Sequence, residues 1–171
     1  MGIDIYAKWR GQTKEEKEAQ YTGSSIVAGG VGYLREAYHG DPYVTKFLVQ
    51  EAFESGTAQI PASTLKERLP KAVILAMIRE KKIYGKNDPS KLVFEEGGLE
   101  KLQENLKHIF SNETKKDAQD AYALDAETLA TGKRLIEMKA LPDYAQTFVD
   151  FVELCEKKEK ETGEPCTIIA S

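Results

Sequence analysis

Apolar and polar side chains alternate with a period of two at the start of the chain. The apolar positions are Ile3, Ile5, Ala7 and Trp9, and the positions between them are Asp4, Tyr6 and Lys8. This period predicts a strand with one buried face. The segment 165–170 predicts a second strand. Because the two ends of a domain often lie close together, we expect these strands to pair in one small sheet.

Most of the sequence between these strands has the spacing of amphipathic helices. Helices are predicted over 14–20, 33–38, 42–55, 64–69, 70–84, 99–110 and 142–162, with one or two more between 111 and 139. The boundary at Pro70 is predicted because proline lacks the backbone N–H that a helix interior uses. Further strands are possible at 25–28 or 92–94. The predicted fold class is α+β and predominantly helical, with several helices packed on a small sheet that includes the N- and C-terminal strands.

Composition supports one globular domain over residues 1–171. Hydrophobic residues make up 41% of the chain and charged residues 30%, which is usual for a folded domain. The formal net charge of −4 gives no general attraction to nucleic acid or anionic lipid. No apolar run approaches the ~18–20 residues that a membrane-spanning helix needs. We therefore expect a cytoplasmic protein without nucleic-acid or membrane partners.

A glycine-rich turn is the first candidate for binding chemistry. Gly29, Gly30 and Gly32 precede the helix predicted from residue 33, and Arg35 would lie in its first turn. Backbone N–H groups at such a position can converge on an anion, which makes these four residues candidates for ligand binding. The stretch lacks the third glycine of a dinucleotide fingerprint and the Gly-Lys-Ser/Thr of a P-loop. A tight turn that uses the positive φ of glycine explains the same residues.

Acid/base chemistry is a second possibility in the same part of the chain. On a helix, Arg35 and His39 would share one face, and Asp41, together with Asp4 if the first strand lies close, would supply carboxylates. These four residues are the candidate catalytic set, suited to proton transfer or to holding an anion. His39-Gly40 is also an ordinary helix ending and Asp41 an ordinary helix cap.

No metal site or cofactor is predicted. His108 has no histidine, cysteine or acidic residue four positions later that would give metal-ligand spacing. Cys155 and Cys166 are the only cysteines, so the sequence offers neither a disulfide scaffold nor a CxxC site. We expect both to be free thiols.

Several tyrosines and one helix start suggest binding surfaces. Trp9, Tyr33, Tyr38 and Tyr43 concentrate aromatic rings with polar tips in the first quarter of the chain, which suits an interface or a core. The segment 59–68 has small polar residues at the start of a helix, as in a DNA-recognition helix. Few basic residues accompany it.

The sequence also resembles a family of small bacterial proteins that have no assigned function. The resemblance is carried by the opening MGIDIY, by residues 32–40 (GYLREAYHG) and by residues 162–170 (TGEPCTIIA). It implies no activity, ligand or catalytic residue.

Three functions are compatible with these observations. We prefer a binding or interaction domain whose surface involves residues 29–43 and which engages a protein partner, a second copy of itself or a small anionic ligand. The alternative is a small enzyme that uses Arg35 and His39, with Asp4 or Asp41, on an anionic small molecule. The third is a helix-turn-helix-like DNA binder.

Overall fold

A computed structural model describes residues 2–22, 28–37, 43–84 and 124–171. The elements, in chain order, are β1 (Gly2–Lys8), α1 (Lys14–Thr22), a 3-10 helix (Ala28–Val31), β2 (Tyr33–Ala37), α2 (Val44–Leu48), α3 (Gln50–Ser55), β3 (Thr57–Gln59), α4 (Ala62–Tyr84), α5 (Ala126–Glu137), α6 (Asp143–Thr162) and β4 (Thr167–Ala170). The predicted α+β, predominantly helical fold class is confirmed. The helix predicted over 99–110 and the strand considered at 92–94 lie outside the described residues.

The four strands form one antiparallel sheet in the order β2-β1-β4-β3. The predicted pairing of the first and last strands is confirmed, with Ile5 opposite Ala170 and Lys8 opposite Thr167. Two backbone hydrogen bonds of 2.9 Å between Asp4 and Ser171 extend this ladder. Strands β1 and β4 are therefore the two central strands of the sheet.

One face of the sheet packs against the helices. Ile5, Ala7, Leu34 and Ile168 point into the core, where they join buried side chains of α4 and α6 such as Met77 and Phe151. Burial of a side chain as large as isoleucine, leucine, methionine or phenylalanine stabilises the fold by roughly 1.5–3 kcal/mol. The other face carries Asp4, Tyr6, Tyr33 and Arg35, because alternate residues of a strand point to opposite sides.

The helix predicted over 33–38 is wrong, because residues 33–37 form strand β2. Leucine, arginine, glutamate and alanine favour helices, yet the segment pairs along its whole length with β1, from Gly2 opposite Ala37 to Tyr6 opposite Tyr33. In this register Leu34 enters the core while Arg35 points away from it. Pairing with β1 thus overrides the helix propensity of these residues.

The predicted division at Pro70 is also wrong, since α4 runs unbroken from Ala62 to Tyr84 with the proline inside it. The core face continues through this point, with Leu69 and Val73 both buried. Gly132 of α5 packs closely here, and a Cβ atom at that position would lie 2.5 Å from the Pro70 carbonyl oxygen. Burial on both sides of Pro70 offsets the missing hydrogen bond.

Several predicted boundaries shift for local reasons. The helix expected over 42–55 is interrupted at Val49, which separates α2 from α3. The sequence favours a connector over 58–61, but residues 57–59 form strand β3. Residues 64–67 have the spacing of a capping box, which predicts a helix start, yet they lie inside α4. That helix begins at Ala62, whose N–H donates to the Glu159 carboxylate at 2.7 Å.

Other predicted boundaries are confirmed. The spacing of Thr13 and Glu16 predicts a capping box, and the two residues form one at the start of α1 with reciprocal bonds of 2.9 and 3.1 Å. Gly163 ends α6 in the left-handed conformation. Among the described helices, none combines the length and apolarity needed to cross a bilayer.

Candidate functional site

The glycine turn packs against α6. The Gly29 N–H donates to Thr147 Oγ1 at 2.9 Å, and a Cβ at Gly29 would lie only 1.8 Å from the Thr147 carbonyl oxygen. Gly32 has φ of +86°, and its N–H donates to the Gly29 carbonyl at 2.9 Å. Gly30 is exposed and has open space around it. The amides of Gly29 and Gly32 therefore have partners within the protein.

The predicted anion site depended on a helix that would begin near residue 33. A strand begins there instead, so the partial positive charge of a helix N-terminus is missing from the end of the glycine turn. The turn serves another purpose in the fold, because it brings β2 alongside β1 and brings the 3-10 helix against α6.

Two of the four candidate catalytic residues do meet. Asp4 and Arg35 are direct cross-strand partners, and the Arg35 Nη1 lies 3.1 Å from Asp4 Oδ1. The Tyr33 hydroxyl donates to the same carboxylate oxygen at 2.7 Å. The Arg35 side chain is 46% exposed, so part of its guanidinium faces solvent. His39 and Asp41 lie outside the described residues.

Three tyrosine rings extend this cluster across the outer face of the sheet. The Tyr6 ring centroid lies 5.2 Å from that of Tyr21 in α1 and 5.5 Å from that of Tyr33. The rings are tilted by 50° and 47°, a favourable arrangement for aromatic pairs. Tyr21 is 65% exposed, whereas Tyr33 is buried. We call Asp4, Tyr6, Tyr21, Tyr33 and Arg35 the tyrosine patch.

The hydroxyls of Tyr6 and Tyr33 stay protonated at neutral pH. Burial raises the pKa of Tyr6, and the nearby Asp4 charge raises it further. Burial also raises the pKa of Tyr33, as does its hydrogen bond to Asp4. Hydrogen bonding with Tyr33 and the charge of Asp4 raise the pKa of Arg35. The patch thus combines neutral phenols with one carboxylate and one guanidinium, which suits hydrogen bonding and stacking.

Directly behind the patch lies a buried charge that the sequence did not indicate. Glu36 on the inner face of β2 is completely buried and forms an ion pair with Arg79 of α4. Its other oxygen accepts hydrogen bonds from the Thr45 backbone N–H at 2.9 Å and from the Thr45 hydroxyl at 2.5 Å. These contacts tie β2 to α2 and α4, so they hold the strand that presents Tyr33 and Arg35.

Sequence reasoning missed Tyr6 and Tyr21 as members of the site. Tyr6 belongs to the alternating pattern of β1, but its neighbour Tyr33 becomes visible only once 33–37 is recognised as a strand. Tyr21 lies in the charged helix α1, which has no apolar stripe to indicate a functional position. Tyr38, one of the aromatic residues singled out in the sequence, lies outside the described residues. Trp9 contacts Lys158, whose Nζ is 5.2 Å from the ring centroid.

The segment considered for DNA recognition follows strand β3, rather than a short turn from a preceding helix. Lys66 pairs with Glu156 at 2.7 Å, and Arg68 forms an ion pair with Glu51. Both cations are thereby directed at carboxylates of this chain. Within the described ranges, no group of three or more histidine, cysteine or acidic side chains could hold a metal ion.

Comparisons with protein-family models, with curated proteins and with solved structures find no match to this chain. The resemblance to small bacterial proteins therefore stays a prediction, and the function must be argued from the geometry described above.

Proposed function

We propose that this chain is a binding module that engages a protein partner through the tyrosine patch. The observation that carries the proposal is the exposed ring of Tyr21 in tilted contact with Tyr6, which in turn contacts Tyr33 beside the half-exposed Arg35. Tyrosine and arginine are over-represented among the residues that dominate binding energy at protein interfaces. The proposal moves the interaction surface from residues 29–43 to the outer face of β1 and β2.

The patch is held in place before any partner arrives. Tyr6 and Tyr33 are opposite each other in the β1/β2 ladder. Helix α1, which carries Tyr21, is fastened to the sheet by the Gln20 side chain, whose Nε2 donates to the Ala7 carbonyl at 2.8 Å. A preorganised surface loses less conformational entropy on binding, which favours affinity.

Apolar surface next to the patch adds to its binding capacity. Tyr21 and Val31 are the large hydrophobic side chains found exposed in the described part of the chain. They belong to α1 and the 3-10 helix, which contact each other. A partner that covers both would bury aromatic and aliphatic area while its polar groups meet the Tyr21 hydroxyl and Arg35.

A displayed library of random peptides tests the proposal, because it samples many binding sequences at once. We expect peptides selected on the wild-type protein to bind at least tenfold more weakly to Tyr21→Ser and Arg35→Gln. Glu54→Lys, an exposed position on α3, is the matched control and should bind like wild type. Selected peptides that bind all four proteins equally would contradict the proposal. Sedimentation of the same proteins reports whether a second copy is the partner, since Tyr21→Ser would then abolish the dimer.

A small-molecule site, catalytic or not, is the second candidate function, because Asp4 and Arg35 meet as that hypothesis requires. Its support is the solvent-facing part of the Arg35 guanidinium, which can bind a carboxylate or phosphate. Thermal unfolding in a series of small carboxylates and phosphates tests it. Stabilisation of wild type but not of Arg35→Gln would favour a small anionic ligand over a protein partner.

A further inference from the structure

Two cysteines that are separate in the sequence meet in the core. Cys155 lies on the inner face of α6, and Cys166 lies between the end of that helix and β4. Both are free and only 1% exposed. The Cys166 thiol donates a hydrogen bond to the Cys155 carbonyl oxygen at 3.7 Å. The side chain of Cys166 therefore lies directly against Cys155 in the core.

We propose that Cys155 and Cys166 form a site of oxidative modification, which closes to an intramolecular disulfide when the protein meets a low-molecular-weight disulfide. The linked residues lie on either side of the turn at Gly163, so the bond would join the C-terminal half of α6 to the segment that enters β4. The proposal is independent of the tyrosine patch.

The reaction is two successive thiol–disulfide exchanges. The Cys166 thiolate attacks one sulfur of the small disulfide, which forms a mixed disulfide and expels one small thiolate. The Cys155 thiolate then attacks the Cys166 sulfur and expels the second. The two cysteines lose two electrons to the small disulfide, and their two protons pass to the expelled thiolates.

The surroundings indicate which cysteine reacts first. Interaction with the Cys155 side chain lowers the pKa of Cys166, whereas interaction with the Cys166 side chain and burial raise the pKa of Cys155 well above its usual value. Residues 163–165, which lead into Cys166, are exposed or half-buried. We therefore expect an oxidant to reach Cys166 by way of this turn, whereas Cys155 lies on the buried face of α6.

Glutathione redox buffers test the site on the folded protein. After acid quenching, unfolding and maleimide labelling, the intact mass counts the remaining thiols. We expect both thiols to disappear together in one two-electron transition. Trypsin cleaves at the lysines of segment 157–160, so a disulfide-linked pair of peptides containing Cys155 and Cys166 would identify the bond.

Two variants test the order of attack. Cys155→Ser should stop at a glutathione adduct on Cys166, and Cys166→Ser should react at least tenfold more slowly. A Cys166→Ala variant is the control for any effect of the serine hydroxyl in Cys166→Ser. Equal rates for the two single variants would overturn the assignment of Cys166 as the attacking thiol.

Three results would overturn the site itself. The first is a folded protein that keeps both thiols in buffers that oxidise the urea-unfolded chain. The second is a glutathione adduct that never proceeds to the internal bond. The third is oxidation that accelerates in Gly132→Ala, a change between α4 and α5, because reaction would then require global unfolding.

Discussion

Glu36 of β2 and Arg79 of α4 form an ion pair in which the carboxylate is completely buried and the guanidinium is 11% exposed. The same carboxylate accepts two hydrogen bonds from Thr45. A buried charge is costly unless its oxygens are satisfied, and here both of them have partners. The pair therefore helps to fix the position of β2, which is an edge strand among the strands that the structure describes.

Replacing this carboxylate should weaken the whole fold. We expect Glu36→Gln to lower the free energy of unfolding by about 3–5 kcal/mol, because it breaks a buried ion pair by removing one of its two charges. Urea unfolding measures the change. Glu18→Gln removes an exposed partner of Lys14 and should change stability by less than about 1 kcal/mol. Similar losses in the two variants would refute the structural role of Glu36.

Close packing of the glycine turn gives a second prediction. Gly29→Ala would place a methyl group against the Thr147 carbonyl of α6, so we expect a loss of about 1–3 kcal/mol. Gly30→Ala, one residue later, meets open space and should change stability by no more than about 0.5 kcal/mol. Thermal unfolding of both proteins checks this contrast, and equal stability of the two would mean that the turn is not packed on α6.

The pH dependence of Glu51 is a third prediction. Hydrogen bonds from Arg68 lower the pKa of Glu51, so the folded state binds its proton less readily than the unfolded state. The resulting stability is present above the unfolded pKa of about 4.3 and is lost as the pH falls through the lower folded value. Since the Glu51 side chain is 40% exposed, solvent screening limits the effect to roughly 1 kcal/mol.

Glu51→Gln should therefore be slightly less stable than wild type at pH 7, and the difference should shrink as the pH falls below the unfolded pKa of about 4.3. Denaturant titrations at several pH values measure it. A difference that grows on acidification would have the wrong sign for this ion pair.

The capping box of α1 gives a fourth prediction, which bears on the tyrosine patch. Thr13→Ala removes the hydroxyl that accepts from the Glu16 N–H, at a cost of about 1 kcal/mol. We expect faster hydrogen exchange in α1, with little change in the core helices α4 and α6. Peptide binding should weaken with it, because α1 carries Tyr21. Thr22→Ala, at the end of the same helix, is a control that leaves the capping box intact.

The sequence predicted those elements that are specified by local pattern. Strand β1 followed from strict alternation, and helix α6 followed from its apolar stripe between Pro142 and Gly163. Both signals arise from residues within one element, and both are confirmed. The pairing of β1 with β4 was also predictable, because two terminal strands needed a partner.

The candidate site was less predictable, because it depends on contacts between distant residues. Segment 33–37 consists largely of helix formers, and only its pairing with β1 makes it a strand. The sequence predicted Arg35 on a helix face with His39, whereas the strand places Arg35 opposite Asp4 in the sheet. The meeting of Cys155 with Cys166 likewise depends on how the chain turns back after α6, which no spacing in the sequence encodes.

The placement of β4 between β1 and β3 has a consequence for how the molecule assembles. Ile5 pairs in register with Ala170, so residues near opposite ends of the chain must meet before the sheet is complete. During synthesis β1 can pair with β2 early, but its other edge stays open until residues 167–170 leave the ribosome. Contacts this distant in sequence slow folding. An open edge next to the buried positions of Ile5 and Ala7 is then the point at which a nascent chain most needs protection from aggregation.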